Sequence, residues 1–169
     1  MAEKTNDDIR TINDVPIIVR REIEARMIAP FIRAFAEELG EERTRETIRK
    51  VVYGLAEQAG KDMAEKLGEN TPESYVCKAI PAFAAGGALE YEIKEAGPEL
   101  AKMDVLYCAY VDMYRSLGLA DLGFMLSCER DIGFLKGFNP DIEFIREDTL
   151  MNGAPYCDYC LKMKGEKQD

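Results

Sequence analysis

The sequence predicts an α+β fold, with N-terminal helices packed on a small antiparallel sheet of about four strands and two further helices between two hairpins. Three observations lead there. Apolar residues recur at helical spacing from Ile17 to Leu67, the period changes to an alternation at Leu89, and Gly and Pro punctuate the chain at each change.

Residues 1–14 are polar and read as a flexible N-terminus, with Asn13-Asp14 before Pro16 as a helix start. The first helix opens near Val15, and Ile17, Ile23, Met27, Phe31 and Phe35 repeat along it; Pro30 is expected to kink it and Gly40 to stop it. A second helix runs from about Glu42 to Leu67, with Ile48, Val52, Ala59 and Met63 on one face and Gly68 at its end. Gly54 and Gly60 weaken it while permitting close packing. Thr71-Pro72-Glu73 is a cap and first turn, and Tyr75 to Ala85 reads as a short third helix closed by Gly86-Gly87, with Pro81 in its middle.

Beyond it, Leu89, Tyr91 and Ile93 alternate with Glu90, Glu92 and Lys94, and Gly97-Pro98 turns the chain. Met103, Val105 and Tyr107 then alternate with Asp104 and Leu106, completing a hairpin with one buried face. Two helices follow, over 108–117 and 120–135, divided by Gly118. Ile142, Phe144 and Ile145 make a third strand, Asn152-Gly153 a turn, and Tyr156 to Met163 a fourth. Residues 15–163 are expected to form a single domain, and 164–169 a flexible tail.

A chain of 169 residues supports one sizeable core without staples. With 22 basic and 32 acidic residues the formal charge is -10, which repels phosphate backbones and anionic lipid, so neither nucleic acid nor membrane is an expected partner. The N-terminus lacks the basic-then-apolar pattern of a secretory leader, and the expected location is the cytoplasm. There the five cysteines remain thiols. The absence of histidine removes Ser-His-Asp and Cys-His mechanisms, leaving acid–base work to Asp, Glu, Cys, Tyr or Lys.

Chemistry concentrates in the last third. Cys128 and Asp131 share a helix face, in a stripe with Asp121, Phe124 and Leu135, and form a thiol–carboxylate pair. Read alone, such a pair is more often a small buried hydrophobe at Cys128 and a solvated residue at Asp131. Cys108 and Asp112 repeat the arrangement at the junction of the second strand and the next helix, with Tyr110 and Tyr114 on an adjacent face. Arg130 points about 100° away from Asp131 on an ideal helix and defaults to a surface charge. Arg146 either clamps a substrate carboxylate or pairs with Glu147 and Asp148 at a strand edge. Cys157 and Cys160 have the spacing of a metal knuckle or redox pair, but zinc or an iron–sulfur cluster needs two more thiolates from Cys77, Cys108 or Cys128. No cofactor is therefore the primary expectation.

Cys108 and Tyr110, Leu117-Gly118, Cys128 and Asp131, Gly137 to Pro140, Arg146 and Thr149, and Cys157-Asp158-Tyr159 together resemble the carboxyl half of the L-2-amino-thiazoline-4-carboxylic acid hydrolases. The resemblance covers roughly residues 100–160. It implies hydrolysis of a cyclic isothiourea: water attacks the ring carbon between nitrogen and sulfur, and the ring opens to an N-carbamoyl cysteine. That chemistry needs a base for water, a proton donor for the departing group and a cation for the carboxylate, and the expected assignments are Asp131 as base, Cys128 or Cys157 as acid or transient nucleophile and Arg146 as the carboxylate clamp, with Asp112, from its spacing to Cys108, as a further catalytic candidate. Tyr110, Tyr114, Asn139 and Cys108 stand as the remaining substrate-binding candidates. The layout is also similar to the four-vinyl reductase domain, a small-molecule-binding family, so a ligand-, metal- or redox-sensing module without turnover is the alternative. A third is an assembly subunit, and the long N-terminal helices are the expected homo-oligomer interface.

Overall fold

Helix α1 (Ile17–Leu39) follows Pro16 and continues through Pro30, and α2 (Glu41–Leu67) begins directly after Gly40, whose φ of 87° turns the chain back. The computed structural model describes residues 15–165, so the helix start expected at Asn13-Asp14 and the flexible first fourteen residues lie outside it, as do residues 166–169 of the expected tail. Gly68 ends α2 in the left-handed conformation and donates its N–H to Ala64 O and Glu65 O. Helix α3 comprises Pro72–Ser74, a π-helical segment Tyr75–Ala79 and Ile80–Ala84. Thr71 caps it by accepting the Ser74 N–H, and Pro81, which has no N–H to give, sits just after the π segment.

Strands β1 (Leu89–Ala96) and β2 (Leu100–Cys108) form the first hairpin. Helix α4 (Ala109–Ser116) leads to α5, which comprises Ala120–Gly123, a second π-helical segment Phe124–Cys128 and Glu129–Phe138. Strand β3 (Ile142–Ile145), a short 3₁₀ turn Leu150–Asn152 and β4 (Cys157–Met163) complete the chain. All neighbouring strands are antiparallel in the order β1-β2-β4-β3, so the last strand lies inside the sheet. The α+β class, the four strands and the two helices between the hairpins match the sequence expectation.

The inner sheet face, with Ala101, Met103 and Val105 of β2 beside Cys157 and Leu161 of β4, packs on Tyr75 and Ile80 of α3 and on Phe134 and Phe138 of α5. A second apolar cluster joins Ala25, Ala29 and Ile32 of α1 to Ile48 and Val52 of α2 and to Tyr114 and Leu122. Helices α2 and α5 meet backbone to backbone. A Cβ at Gly60 would lie 2.0 Å from Phe134 O, and one at Gly137 would lie 1.9 Å from Glu57 O, whereas Gly54 faces open space. The close packing that the sequence allowed at two glycines is therefore realised at Gly60 alone.

One strand departs from the expected alternation. The β1–β2 register shifts between Glu90 and Tyr91: Glu90 pairs with Tyr107 but Tyr91 with Val105, leaving Leu106 as an extra residue. Tyr107, expected inside, is consequently 39% exposed, and Cys108 turns inward instead. A second shift, between Ile93 and Glu95, accompanies the exposure of Ile93.

Helix α1 leaves a ridge of large apolar side chains uncovered, namely Val19, Ile23, Met27, Phe31, Phe35 and Leu39. Among the described residues no helix is long and apolar enough to cross a membrane.

Candidate active site

Between the inner sheet face and helices α3 and α5 lies a cavity of about 130 Å³. Its walls are mainly apolar, from Tyr75, Phe83, Met103, Val105 and Phe134, and polar groups converge at one side from Cys108, Cys128, Asp131, Arg146, Cys157 and Tyr159. Cys108 reaches it through the β2 bulge, and Cys157 and Tyr159 through the inward positions of β4. Cys128 and Asp131 arrive from α5, at and just beyond its π segment.

That segment takes in an extra residue, so the helix faces before and after it are out of register. The stripe expected from Asp121 to Leu135 is broken there. Asp121 is on the surface in a two-pronged pair with Arg33, at 2.7 and 2.8 Å, while Cys128 and Asp131 face the cavity and Leu135 enters the core.

Arg146 follows β3, and its side chain is 5% exposed. Nη1 donates to Asp131 Oδ2 at 2.5 Å and to the Tyr159 hydroxyl at 3.2 Å, and Nη2 donates to Cys128 O at 3.0 Å. The Tyr159 hydroxyl also donates to Asp131 Oδ2, at 2.8 Å. The guanidinium lies over the rings of Phe144 and Tyr159, 5.3 and 5.4 Å from their centroids. Arg146 is thus neither the free clamp nor the edge-strand charge that the sequence suggested. It is neutralised by Asp131, because α5 brings that carboxylate against the end of β3.

Only Oδ2 of Asp131 is held in this way. Oδ1 makes no hydrogen bond to another described residue, so this cavity-lining carboxylate is fixed through one oxygen and keeps the acceptor capacity of the other.

The thiols are held protonated. Burial raises the Cys108 thiol to about 11, against the pull of the Val111 and Tyr110 amides. Burial raises Cys128 further, with the Asp131 charge adding to it, and raises Cys157 against the Leu150 N–H, which donates to its sulfur at 3.2 Å. Burial works against the Arg146 charge, yet Tyr159 and Asp131 keep its pKa above the ordinary value. A thiolate nucleophile is therefore disfavoured, and the cysteines line the site as neutral, polarisable walls.

The other expected site residues divide. Tyr110 lines the cavity and donates its hydroxyl to Phe83 O at 3.1 Å. Tyr114 is buried in the α1–α4 cluster, away from the cavity lining. Asp112 is exposed on α4: Cys108 is still in extended backbone, so the helical spacing assumed between the two does not apply. Asn139 shapes the turn before β3, donating to Asn70 O at 2.9 Å and accepting the Asp141 N–H at 2.9 Å. Cys157 and Cys160 fall on opposite faces of β4, the second beside Lys102, so this pair does not close a knuckle on one ion. All five cysteines are free, and no group of three or more Cys, Asp or Glu side chains among the described residues is placed to hold a metal ion.

Asp158 positions the site from outside. Its carboxylate accepts the Glu147 and Asp148 N–H groups at 3.0 and 2.6 Å, fastening the segment after Arg146 to β4. Thr149 caps the following 3₁₀ turn by accepting the Asn152 N–H. These bonds give the Arg-x-x-Thr and Cys-Asp elements a physical reason. Polar lining residues that were not among the expected site residues include Tyr159 of β4, Arg21 of α1, and Ser127 and Arg130 of α5. Arg130 is not a solvated charge, since α1 covers that face of α5 and its side chain is 16% exposed. The one signal for Arg21 was a pair of arginines inside the apolar run of the first helix.

A family model described as L-2-amino-thiazoline-4-carboxylic acid hydrolase matches residues 20–161. No curated protein matches the chain. Among solved structures the chain is similar to the phenol-responsive sensory domain of the transcription activator PoxR, crystallised with phenol. The TM-score is 0.51 at 11% identity, covering 81% of this chain and 73% of that one, a likeness of fold.

Proposed function

The chain belongs to the L-2-amino-thiazoline-4-carboxylic acid hydrolase family, and from that premise we propose that it opens the ring of L-2-amino-thiazoline-4-carboxylate, or of a closely related cyclic isothiourea, by hydrolysis. The observation that carries this reading is Asp131, a lining residue of a mainly apolar cavity: one oxygen is held by Arg146 and Tyr159, and the other has no partner among the described residues. Asp131 accepts a proton from water as the water oxygen bonds to C2 of the protonated amidine. The resulting carboxyl group returns that proton to the ring sulfur as the C2–S bond breaks. The remaining hydroxyl on C2 loses its proton to solvent, giving the carbamoyl group of N-carbamoyl cysteine. Arg146 acts as a positioning residue, holding the Asp131 carboxylate in a fixed orientation.

The test is product formation by purified protein, followed through the released thiol. Asp131→Asn is expected to lower kcat by at least about 100-fold, the usual scale for losing a general base. Full activity in a folded Asp131→Asn variant rejects the assignment.

A second reading, a binding module without turnover, is favoured by one observation: the fold is shared with a small-molecule sensory domain. The cavity is close to the ~150 Å³ that accommodates benzene in an engineered protein. Ligand binding without product decides for it. Self-association belongs to the same proposal. The uncovered residues on α1 follow a four-residue spacing, the ridge by which helices pack across one another, and the occupant proposed for it is a second copy of the chain.

A further inference from the structure

We propose that Arg130 and Arg21 form an anion-recognition end of the cavity, so that the site selects small heterocycles carrying a carboxylate. The proposal rests on reading the cavity as the substrate site and assigns the group that recognises the acid.

Arg146 is a poor partner for an incoming carboxylate because Asp131 already neutralises it, and a second carboxylate there would meet a like charge. Arg130 and Arg21 line the same cavity with side chains 16% and 23% exposed. Both turn to a single carboxylate, Glu24, which is itself 49% exposed: Arg21 Nη1 lies 2.7 Å from Oε1 and Arg130 Nη2 lies 3.2 Å from Oε2. Asp131, whose charge also reaches Arg130, is bonded to Arg146, so the three guanidiniums of Arg21, Arg130 and Arg146 face two carboxylates, Glu24 and Asp131, and one positive charge is left over. Burial, and then repulsion from Arg21, lower the pKa of Arg130, the response expected of a crowded cation.

Two further facts agree. Arg20, next on α1, has a buried Nε without a hydrogen-bond partner among the described residues, and its charge reaches Tyr110 together with that of Arg21. The positive spot also stands in a chain of formal charge -10, so it does not follow from overall composition. Arg130 is oriented by its Nε, which donates to Leu126 O at 3.1 Å within the π segment of α5, leaving part of its fork free. Helix α1 thereby supplies one half of the recognition group and is part of the site.

The experiment compares equilibrium binding of L-2-amino-thiazoline-4-carboxylate and of 2-amino-2-thiazoline, which lacks the carboxylate, by calorimetry to the full chain carrying Asp131→Asn, so that ring opening does not consume the acid, while product formation is followed separately with Asp131 in place. With both arginines present the protein is expected to prefer the acid. Arg130→Gln and Arg21→Gln are each expected to weaken the acid roughly 10- to 100-fold, the scale of a lost charge-assisted hydrogen bond, and to leave the neutral analogue within about 2-fold. Arg21 is the more exposed of the two, so Arg21→Gln keeps the test open if Arg130→Gln fails to fold. No preference for the acid with both arginines present, or equal weakening of both ligands, overturns the proposal. Binding in the expected pattern without product upholds the subsite and rejects the hydrolase reading. Product formation with acid affinity unchanged in both variants rejects the subsite and keeps the hydrolase.

Discussion

Arg146 and Asp131 join the end of β3 to α5 through a 2.5 Å contact, with the arginine side chain 5% and the aspartate side chain 29% exposed. Removing one partner leaves the other charge desolvated. Asp131→Leu is therefore expected to lower stability by about 3–5 kcal/mol in urea unfolding, and the double variant Arg146→Met/Asp131→Leu to recover most of that loss. Additive losses in the two single variants would show that the pair is not coupled.

Helix α2 carries two glycines with opposite expectations. Gly60→Ala would drive a methyl group into Phe134 O, so α2 and α5 must separate, and a loss of about 1–3 kcal/mol or more is expected. Gly54→Ala meets open space in a helix interior and is expected to gain up to about 1 kcal/mol. Thermal unfolding of the two variants reads the difference, and equal shifts would contradict the helix contact.

Burial raises Cys108 from 9.0 to about 11 and Tyr110 from 10.0 to about 12. Both become charged on losing a proton, and the unfolded chain loses it first. The Cys108 contribution is full below pH 9.0 and is lost as the pH rises through about 11, at roughly 1.4 kcal/mol per pH unit, and the Tyr110 contribution is full below pH 10.0 and is lost through about 12. The melting temperature should fall over that window. At pH 8 an alkylating reagent should modify exposed Cys77 well before Cys108, Cys128 or Cys157, and comparable rates would rule out their burial.

The ridge on α1 includes Met27 at 69%, Ile23 at 56% and Phe31 at 50% exposure. Light scattering over a concentration series is expected to show a dimer that Phe31→Glu converts to a monomer. A native chain that stays monomeric at about 100 μM, weaker than specific interfaces of standard size, removes the interface.

Helices and strands were legible because they depend on local periods. The apolar repeat from Ile17 to Leu67 and the alternation after Leu89 correspond to α1, α2 and the first hairpin to within a few residues. Cys128, Asp131, Cys157, Arg146, Tyr110 and Cys108 were also picked out, and all six line the cavity. Asp112 and Tyr114 were misplaced for a common reason. Each was assigned by helical spacing from Cys108 or Tyr110, which shows who shares a face but not what that face meets.

What the sequence determined by itself was the order and type of the elements, the absence of histidine chemistry, and the family motif that concentrates acids and thiols near the carboxyl end. Only the tertiary structure decided the partners. One extra residue at Leu106 turned Cys108 inward, a π segment broke the stripe between Asp121 and Cys128, and strand pleating sent Cys157 and Cys160 to opposite faces. Packing brought Asp131 to Arg146 and α1 over Arg130. Side-chain direction follows local geometry, but the charge or cavity that a side chain meets is set by elements distant in sequence, so the neutralised Arg146 and the contact of Arg130 with Glu24 carry no local signature.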